Sequence, residues 1–371
     1  MYSIENFKVT IDGTDIHAMI TSMSVYESIH GNIKATLIVN DQLNFFDLFF
    51  NGVNNNMLQL EYTYFDVPVN IMFLVDGISN QKITKQGKTY HIDCVSVNTY
   101  NQQTGRICSA HSGTSSDVLA QIWSNVHTEK NILAIDSITI STGKYIVPNL
   151  TATTAIKNIV NSAYCEKETP MFLYQRLIDS GVTRFTSIDS MINNYFLEDF
   201  EIRNAEATRE GLETPLTTIG TTSSFTLTHW NTAFISKAAG GMWGKEVRSV
   251  SLDETTDVVT PAAEVTAIPI TKMGLSKNLY SEKCLLSAET STQSEILKNG
   301  KYRLFNVQLK ATNVIAIPGI GCGMAIHVSQ GEGQTSGTKT DGRYVMADIN
   351  HVFVVDDGQM NYTQDIGLVR E

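Results

Sequence analysis

The chain has 371 residues, of which 42% are hydrophobic and 18% are charged, and its formal net charge is -11. This composition supplies apolar material for packed cores and excludes a disordered chain, which combines low hydrophobicity with high charge. The length predicts roughly two to four domains. The excess of carboxylates argues against specific nucleic-acid binding, because that binding is driven by basic faces that neutralise phosphates.

Five cysteines are scattered along the chain without a C-x-x-C spacing, at positions 94, 108, 165, 284 and 322. An odd number of scattered cysteines predicts free, buried thiols in a protein that folds in a reducing cytosol. The first residues lack the basic and apolar regions of a signal peptide. No segment approaches the about 18 apolar residues of a membrane-spanning helix. We therefore expect a protein made in the cytoplasm, with no membrane insertion.

Residues 1–103 contain short alternating segments separated by Gly, Asn and Asp turns, at 7–11, 34–41, 57–64, 69–75 and 89–97. This pattern is typical of an antiparallel barrel or sandwich, and it predicts a first β-barrel domain over 1–103. The aromatic segment 44–50 is the exception. It predicts one or two helical turns that plug a barrel end, or alternatively an exposed contact patch.

A mixed α+β domain is predicted over residues 104–195. Residues 115–117 offer an N-cap, and apolar residues follow at helical spacing; Thr151 offers a second cap before another apolar stripe. Segments 172–175 and 183–188 predict a hairpin around residues 179–181, followed by a short helix from residue 189. The stripe residues are Val118, Leu119, Ile122 and Val126 in the first helix, and Ala155, Ile156, Ile159, Val160 and Ala163 in the second.

Strand-like alternation returns after residue 196 and dominates the end of the chain. It predicts a second, discontinuous β-barrel domain from 196–250 and 300–371. Residues 251–299 lack a strong period and are predicted to be an insertion in the outer α+β region, with a helix from about residue 291 to 306. The expected fold is therefore mainly β with an α+β insertion: two antiparallel β-barrel, tube-like domains plus a mixed α+β domain.

The sequence shows no local signature of catalysis, cofactor binding or metal binding. The eight histidines are dispersed without an H-E-x-x-H motif, although distant ligands assembled by the fold stay possible. There is no G-x-S-x-G elbow, and the glycines at 319, 321 and 323 do not form a nucleotide-binding motif. The acidic pairs at 198–199 and 356–357 are interpreted as solvated surface charge. We predict no catalytic, cofactor-binding or metal-binding residue and no enzymatic activity; no interface residue can be assigned.

Three segments in the same order resemble the central hub protein of contractile-tailed phage baseplates. The first covers residues 20–32 and the strand 35–41. The second is the segment 145–149, with the helix to residue 163 and the hairpin from 172 to 191. The third is the turn 317–319 leading into strand 324–328, followed by the strand 344–354 with Ile349 and His351 at its centre. Type VI secretion spikes and other contractile-injection hubs look similar in the same places.

The resemblance implies a structural protein with two barrels per chain. In a homotrimer these barrels would alternate into a pseudo-hexameric ring, which adapts the sixfold tail tube to the threefold cell-puncturing spike and leaves a channel for DNA. The implied partners are the spike trimer, tail-tube or tube-initiator proteins and baseplate wedge proteins. The implied location is the tail baseplate of a virion assembled in the bacterial cytoplasm.

Two alternatives remain open. The first is a hub of a contractile injection or secretion system. The second, of another class, is a tail-associated protein that binds or degrades glycans, which would need a carboxylate pair or exposed aromatic residues in a groove.

Overall fold

A computed structural model describes residues 4–45, 56–64, 66–84, 87–128, 131–140, 142–165, 170–204, 218–222, 224–230, 246–250, 257–261, 282–285, 307–315, 319–329, 342–356 and 359–370. The described chain is mainly β, as the alternating sequence predicts. Within these residues, no helix has both the length and the apolar character needed to cross a membrane. Nearly all of segment 44–50 and all of the predicted helix at 291–306 lie outside the described residues.

The first part of the chain forms seven strands and one short 3-10 helix, His17–Met19. The strands are β1 Glu5–Ile11, β2 Thr14–Asp15, β3 Ile20–Ser28, β4 Lys34–Asp41, β5 Met57–Tyr64, β6 Val67–Thr84 and β7 Gly87–Ser96. Burial alternates along β4, where Ala35, Leu37 and Val39 are buried and the residues between them are partly exposed. One face of this sheet therefore packs on a core, as expected for a half-buried antiparallel sheet.

The middle part contains four helices and five strands. The helices are α1 Val97–Thr104, α2 Ser115–Val126, α3 Ala152–Ser162 and α4 Ile188–Asn193. The strands are β8 Arg106–Thr114, β9 Leu133–Ile135, β10 Thr142–Thr151, β11 Met171–Gln175 and β12 Thr183–Ser187. Strands β8 and β10 pair in one small sheet, and β9, β11 and β12 form another.

Both predicted helices of this part are present, and the N-cap of one lies one residue earlier than predicted. The Thr151 hydroxyl accepts from the backbone N–H of Thr154 and caps α3, as predicted. The cap of α2 lies one residue before the predicted segment, because the Thr114 hydroxyl accepts from the Asp117 N–H. The predicted hairpin forms from β11 and β12, with positive φ at Ser180 and Gly181 in its turn.

The last part of the chain is again rich in strands. They are β13 Phe196–Asn204, β14 Thr218–Thr222, β15 Ser224–Trp230, β16 Glu246–Val250, β17 Asp257–Pro261, β18 Glu282–Leu285, β19 Val307–Ile315, β20 Ala325–Ser329, β21 Gly342–Asp356 and β22 Gln359–Arg370. Strands β16, β17 and β18 form a separate three-stranded sheet. The other seven join the strands of the first part.

One 14-stranded sheet connects the two ends of the chain. Its order is β2-β1-β5-β6-β7-β4-β3-β21-β20-β13-β14, with β22 paired to β21 and β19, and β15 paired to β19. The connection between the two strand-rich halves is the antiparallel pair β3–β21, from Ser28 opposite Asp348 to Ser22 opposite Val354. The hydrogen bonds among the described strands do not close either half into a complete ring.

The second half is not wholly antiparallel, which corrects the expected topology. Strand β13 runs parallel to both of its neighbours, β14 and β20. Strands joined by a tight hairpin must be antiparallel, whereas parallel neighbours need a longer connection. Strand β20 lies far along the chain from β13, so local turn signals could not reveal this pairing.

Four hydrophobic clusters follow the three parts of the chain. One fills the first strand-rich half, one lies between α2, α3 and the strands of the middle part, and one fills the last strand-rich half. The fourth lies between them and contains Ile29, Phe172, Tyr174, Cys322 and Val345, among others. This fourth cluster brings the three parts of the chain into direct contact.

Candidate functional site

A buried carboxylate lies where the three parts of the chain meet. Glu27 belongs to β3, and its side chain is 0% exposed. One carboxylate oxygen accepts a 2.7 Å hydrogen bond from the Leu177 N–H, and the other accepts a 2.8 Å bond from the Cys322 N–H. Glu27, Leu177 and Cys322 lie in the first, middle and last parts of the chain, so this carboxylate links all three parts. Hydrogen bonds to an ionised acceptor are about twice as strong as neutral ones.

A buried guanidinium binds the carbonyl group of the same residue, Cys322. Arg176 is 2% exposed, and its Nε donates to the Cys322 carbonyl oxygen at 2.8 Å. Its NH2 group donates to the Tyr174 hydroxyl at 3.0 Å, and the guanidinium carbon lies 4.4 Å from the ring centroid of Tyr195. A buried charge is tolerated only when it is paired or hydrogen-bonded, and these contacts meet that requirement. The Cys322 N–H is therefore bonded to the negative carboxylate of Glu27, and the Cys322 carbonyl oxygen to the positive guanidinium of Arg176.

The glycines of the segment around Cys322 are needed for this close approach. A Cβ on Gly321 would lie 3.1 Å from the Arg176 Cδ. Gly323 has φ +74°, and a Cβ there would lie 2.2 Å from the Tyr174 hydroxyl oxygen. Only glycine fits against a tyrosine at that distance, and glycine also adopts positive φ without strain. These glycines form a packing contact between chain segments.

A histidine and two polar side chains extend the buried cluster. The Nε2 atom of His351 lies 3.4 Å from the Glu27 carboxylate, but it has no partner with hydrogen-bond geometry. Its Nδ1 atom is 2.7 Å from the Tyr362 hydroxyl, which also accepts from the Gln364 amide at 3.0 Å. Burial raises the pKa of Tyr362, so this phenol stays protonated at neutral pH. We call Glu27, Arg176, Cys322, His351 and Tyr362 the buried junction.

The side chains of Glu27, Arg176 and His351 in the buried junction have almost no contact with solvent. Glu27 and His351 are both 0% exposed, and Arg176 is 2% exposed. A general acid or base must come within hydrogen-bond reach of its substrate, directly or through one water. These groups instead contact the backbone and each other, so their geometry fits a structural role in holding the three parts of the chain together.

Another group of side chains has the connectivity of a catalytic triad. The Ser109 hydroxyl lies 2.7 Å from His111 Nε2, and His111 Nδ1 lies 2.8 Å from the Gln121 amide oxygen. In the Ser-His-Asp and Ser-His-Glu triads the third member is a carboxylate, which stabilises the imidazolium that forms during reaction. A neutral amide cannot supply that charge. Ser109 and His111 are two residues apart on β8 and partly exposed, so they form a surface hydrogen-bond chain.

The sequence predicted no metal-binding residues. Across the described part of the chain, no three His, Cys, Asp or Glu side chains come together in a way that could hold a metal ion. The side chains of the acidic pair 198–199 and of Asp356 and Asp357 lie outside the described residues. Four of the cysteines, at 94, 108, 165 and 322, are free thiols, as predicted. Cys94 and Cys322 are buried as expected, whereas Cys108 is exposed and Cys165 is half-buried, so the expected burial is wrong for these two.

An open cleft of about 560 Å³ lies next to the buried junction. Its walls come from the turn between β3 and β4, from α1, from α3 and from β11. Its lining combines apolar side chains with lysine, histidine, amide and hydroxyl side chains. The lining residues are Ile29, His30, Gly31, Asn32, Lys34, Thr99, Gln102, Gln103, Thr153, Ile156, Lys157, Val160, Asn161, Phe172 and Leu173. We call this the basic cleft.

The sequence contained one signal for the buried junction. Met23, Val25 and Ile29 alternate on the inward face of β3 and its continuation, and Glu27 occupies the inward position between them. A carboxylate at an inward position must find buried hydrogen-bond partners. The basic cleft carried no such signal, because its lining comes from four separate elements.

No protein-family model matches the sequence, and no curated protein matches it. Solved structures do match. The tail protein from Neisseria meningitidis has a TM-score of 0.62 at 10% sequence identity, with 100% of this chain and 97% of that chain covered. A type VI secretion component from Escherichia coli, reported to be structurally similar to bacteriophage T4 tail proteins, has a TM-score of 0.55 at 7% identity over 98% of this chain and 77% of that chain. A chain of the Francisella PdpA–VgrG complex has a TM-score of 0.53 at 10% identity over 100% of this chain and 59% of that chain.

At these identities the likeness shows the fold. The chain has a fold found in phage tail proteins and in type VI secretion proteins, and the match extends over nearly its whole length. This finding supports the expected resemblance to tail and baseplate proteins at the level of architecture.

Proposed function

We propose that this protein is the structural hub of a contractile phage-tail baseplate. The observation that carries the proposal is the β3–β21 pairing, which joins two strand-rich halves of one chain into a single sheet. A hub needs two tube-like units per chain, held in a fixed relation, so that three chains present six similar units. The buried junction supports that requirement, because it ties both halves to the middle of the chain through charge-assisted bonds.

In the proposed arrangement, residues 1–103 form one barrel, and residues 196–250 with 300–371 form the other. Residues 104–195 form an outer α+β domain to which 251–299 contributes. Three chains alternate these barrels in a pseudo-hexameric ring with a central channel for DNA. The ring binds the sixfold tail tube or its initiator on one face, the threefold spike on the other and wedge proteins at its rim.

The proposed role requires no chemistry. The acid and base groups of the buried junction are closed to substrates, and the solved structures of similar fold include a phage-type tail protein. The proposed location is the tail baseplate of a virion.

A second candidate is a hub of a type VI secretion or other contractile injection system. It is favoured by the likeness to the Escherichia coli secretion component and to the Francisella complex, which contains a VgrG protein. The neighbouring genes discriminate between the two settings: tail-tube, sheath and spike genes of a prophage support the first, and secretion effector genes support the second.

Two measurements on the purified chain test the hub proposal: its mass by light scattering and its image by negative-stain electron microscopy. The expected result is a ring of three chains with six lobes and a central opening, either alone or after co-expression with the adjacent spike gene. A chain that stays monomeric in both preparations contradicts the proposal.

A further inference from the structure

The basic cleft has a charge opposite to that of the chain that carries it. The chain has 38 acidic residues against 27 lysines and arginines. Among the described residues that line the cleft, two are lysines, one is a histidine and none is acidic. A cleft lined by one sign of charge with low-dielectric walls concentrates groups of the opposite sign.

The two lysines of the cleft have no partner within the described part of the chain. Lys34 begins β4 and Lys157 lies in α3, and both are exposed. Neither forms an ion pair or a side-chain hydrogen bond with another described residue. The carboxylates of the described residues therefore leave both ammonium groups available for acceptors on another molecule.

The cleft surface favours a polar, acidic occupant over an apolar one. The apolar lining residues Ile29, Ile156 and Phe172 are each at most 3% exposed, so they offer almost no apolar surface to an occupant. The accessible sides present the amides of Gln103 and Asn161, which donate and accept hydrogen bonds. Carboxylate side chains on a protein segment match this combination of ammonium and amide groups.

An exposed aromatic residue extends the same surface. Tyr26 lies directly opposite Lys34 in the β3–β4 register and is 43% exposed. Tyrosine is enriched at the centre of protein interfaces because it combines a large apolar ring with a polar hydroxyl. The cleft and Tyr26 together form a surface of mixed basic and aromatic character.

We propose that the basic cleft is a subunit contact, which receives an acidic surface of a second copy of this chain. The net charge of -11 means that each copy carries an excess of carboxylates outside the cleft. Exposed carboxylates of the described residues include Glu5, Asp15 and Asp76. A contact between a basic patch on one copy and an acidic patch on the next is head-to-tail, and such contacts generate rings when the rotation closes. This inference rests on the proposed hub function and names a surface through which copies meet.

The test reverses the charge of the cleft and measures self-association by sedimentation velocity over a range of concentrations. In the double variant Lys34→Glu/Lys157→Glu, we expect the association constant to fall by at least about tenfold, because two favourable rim contacts become repulsive. The matched control is Lys82→Glu/Lys144→Glu, which makes the same change in net charge at exposed positions outside the cleft. The control should associate like the wild type. Unchanged thermal unfolding of both variants establishes that each is folded.

A second readout uses salt. Association of the wild type should weaken as ionic strength rises, since exposed charge contacts are screened. Equal association of the cleft variant and the wild type overturns the subunit contact and leaves the hub proposal standing. A wild type that never self-associates also overturns the contact, while co-expression with the spike gene still decides the hub separately. An equal loss in the control variant would show general charge repulsion and likewise overturn the contact.

Discussion

The substitution Glu27→Gln tests the buried junction most directly. The change keeps the size of the side chain but replaces one carboxylate oxygen with an amide group that donates. Since the two oxygens accept from Leu177 N–H and Cys322 N–H, one of these donors must then face another donor. Leaving a buried donor without a partner costs about 1–3 kcal/mol. The remaining bond also loses its charge assistance, which adds about 1 kcal/mol.

The free energy of unfolding should therefore fall by about 2–4 kcal/mol. The measurement is urea unfolding followed by far-UV circular dichroism, with midpoint and slope compared between proteins. The matched control is Glu61→Gln on β5, whose carboxylate accepts from the side chains of Gln59 and Asn70. That control should stay within about 0.5 kcal/mol of the wild type. If Glu27→Gln were as stable as Glu61→Gln, the carboxylate would not fasten the three parts, and the reasoning would be wrong.

Two further predictions concern single positions. Gly323→Ala should destabilise the protein by at least about 2 kcal/mol more than Gly319→Ala in thermal or urea unfolding. Both glycines have positive φ, but only at Gly323 would the new methyl group strike the Tyr174 side chain, so equal losses would refute the clash. Burial lowers the pKa of His127 to about 4 from its ordinary value near 6.5, so the unfolded state binds the proton first as pH falls. The free energy of unfolding should consequently decrease by about 1–3 kcal/mol between pH 6.5 and 4, and His127→Gln should remove that part of the slope. A wild-type profile with the same slope as the variant would contradict the assignment.

The sequence predicted those parts of the fold that local patterns determine. Alternation in β3 and β4, the apolar stripes of α2 and α3, and the cap at Thr151 depend on residues within a few positions of each other. The hairpin of β11 and β12 is likewise specified by its own turn. Each of these features is present in the structure.

The features that were not predicted depend on residues far apart in sequence. The parallel pairing of β13 with β20 joins segments that no turn connects. Glu27 acquires its role only when the backbone at Leu177 and Cys322 is brought to it; its inward position in β3 signals that it needs partners but does not identify them. The basic cleft likewise exists only after four elements have packed together.

The pairing of β3 with β21 also has a consequence for how the protein is made. Strand β3 is synthesised hundreds of residues before β21, so the nascent chain exposes one edge of β3 until β21 has been made. An unpaired strand edge readily pairs with another chain, and contacts between distant segments form slowly. A fragment that ends before residue 342 keeps this edge permanently open. Such fragments should aggregate, and correct folding should depend on how quickly β21 and β22 reach the strands of the first part.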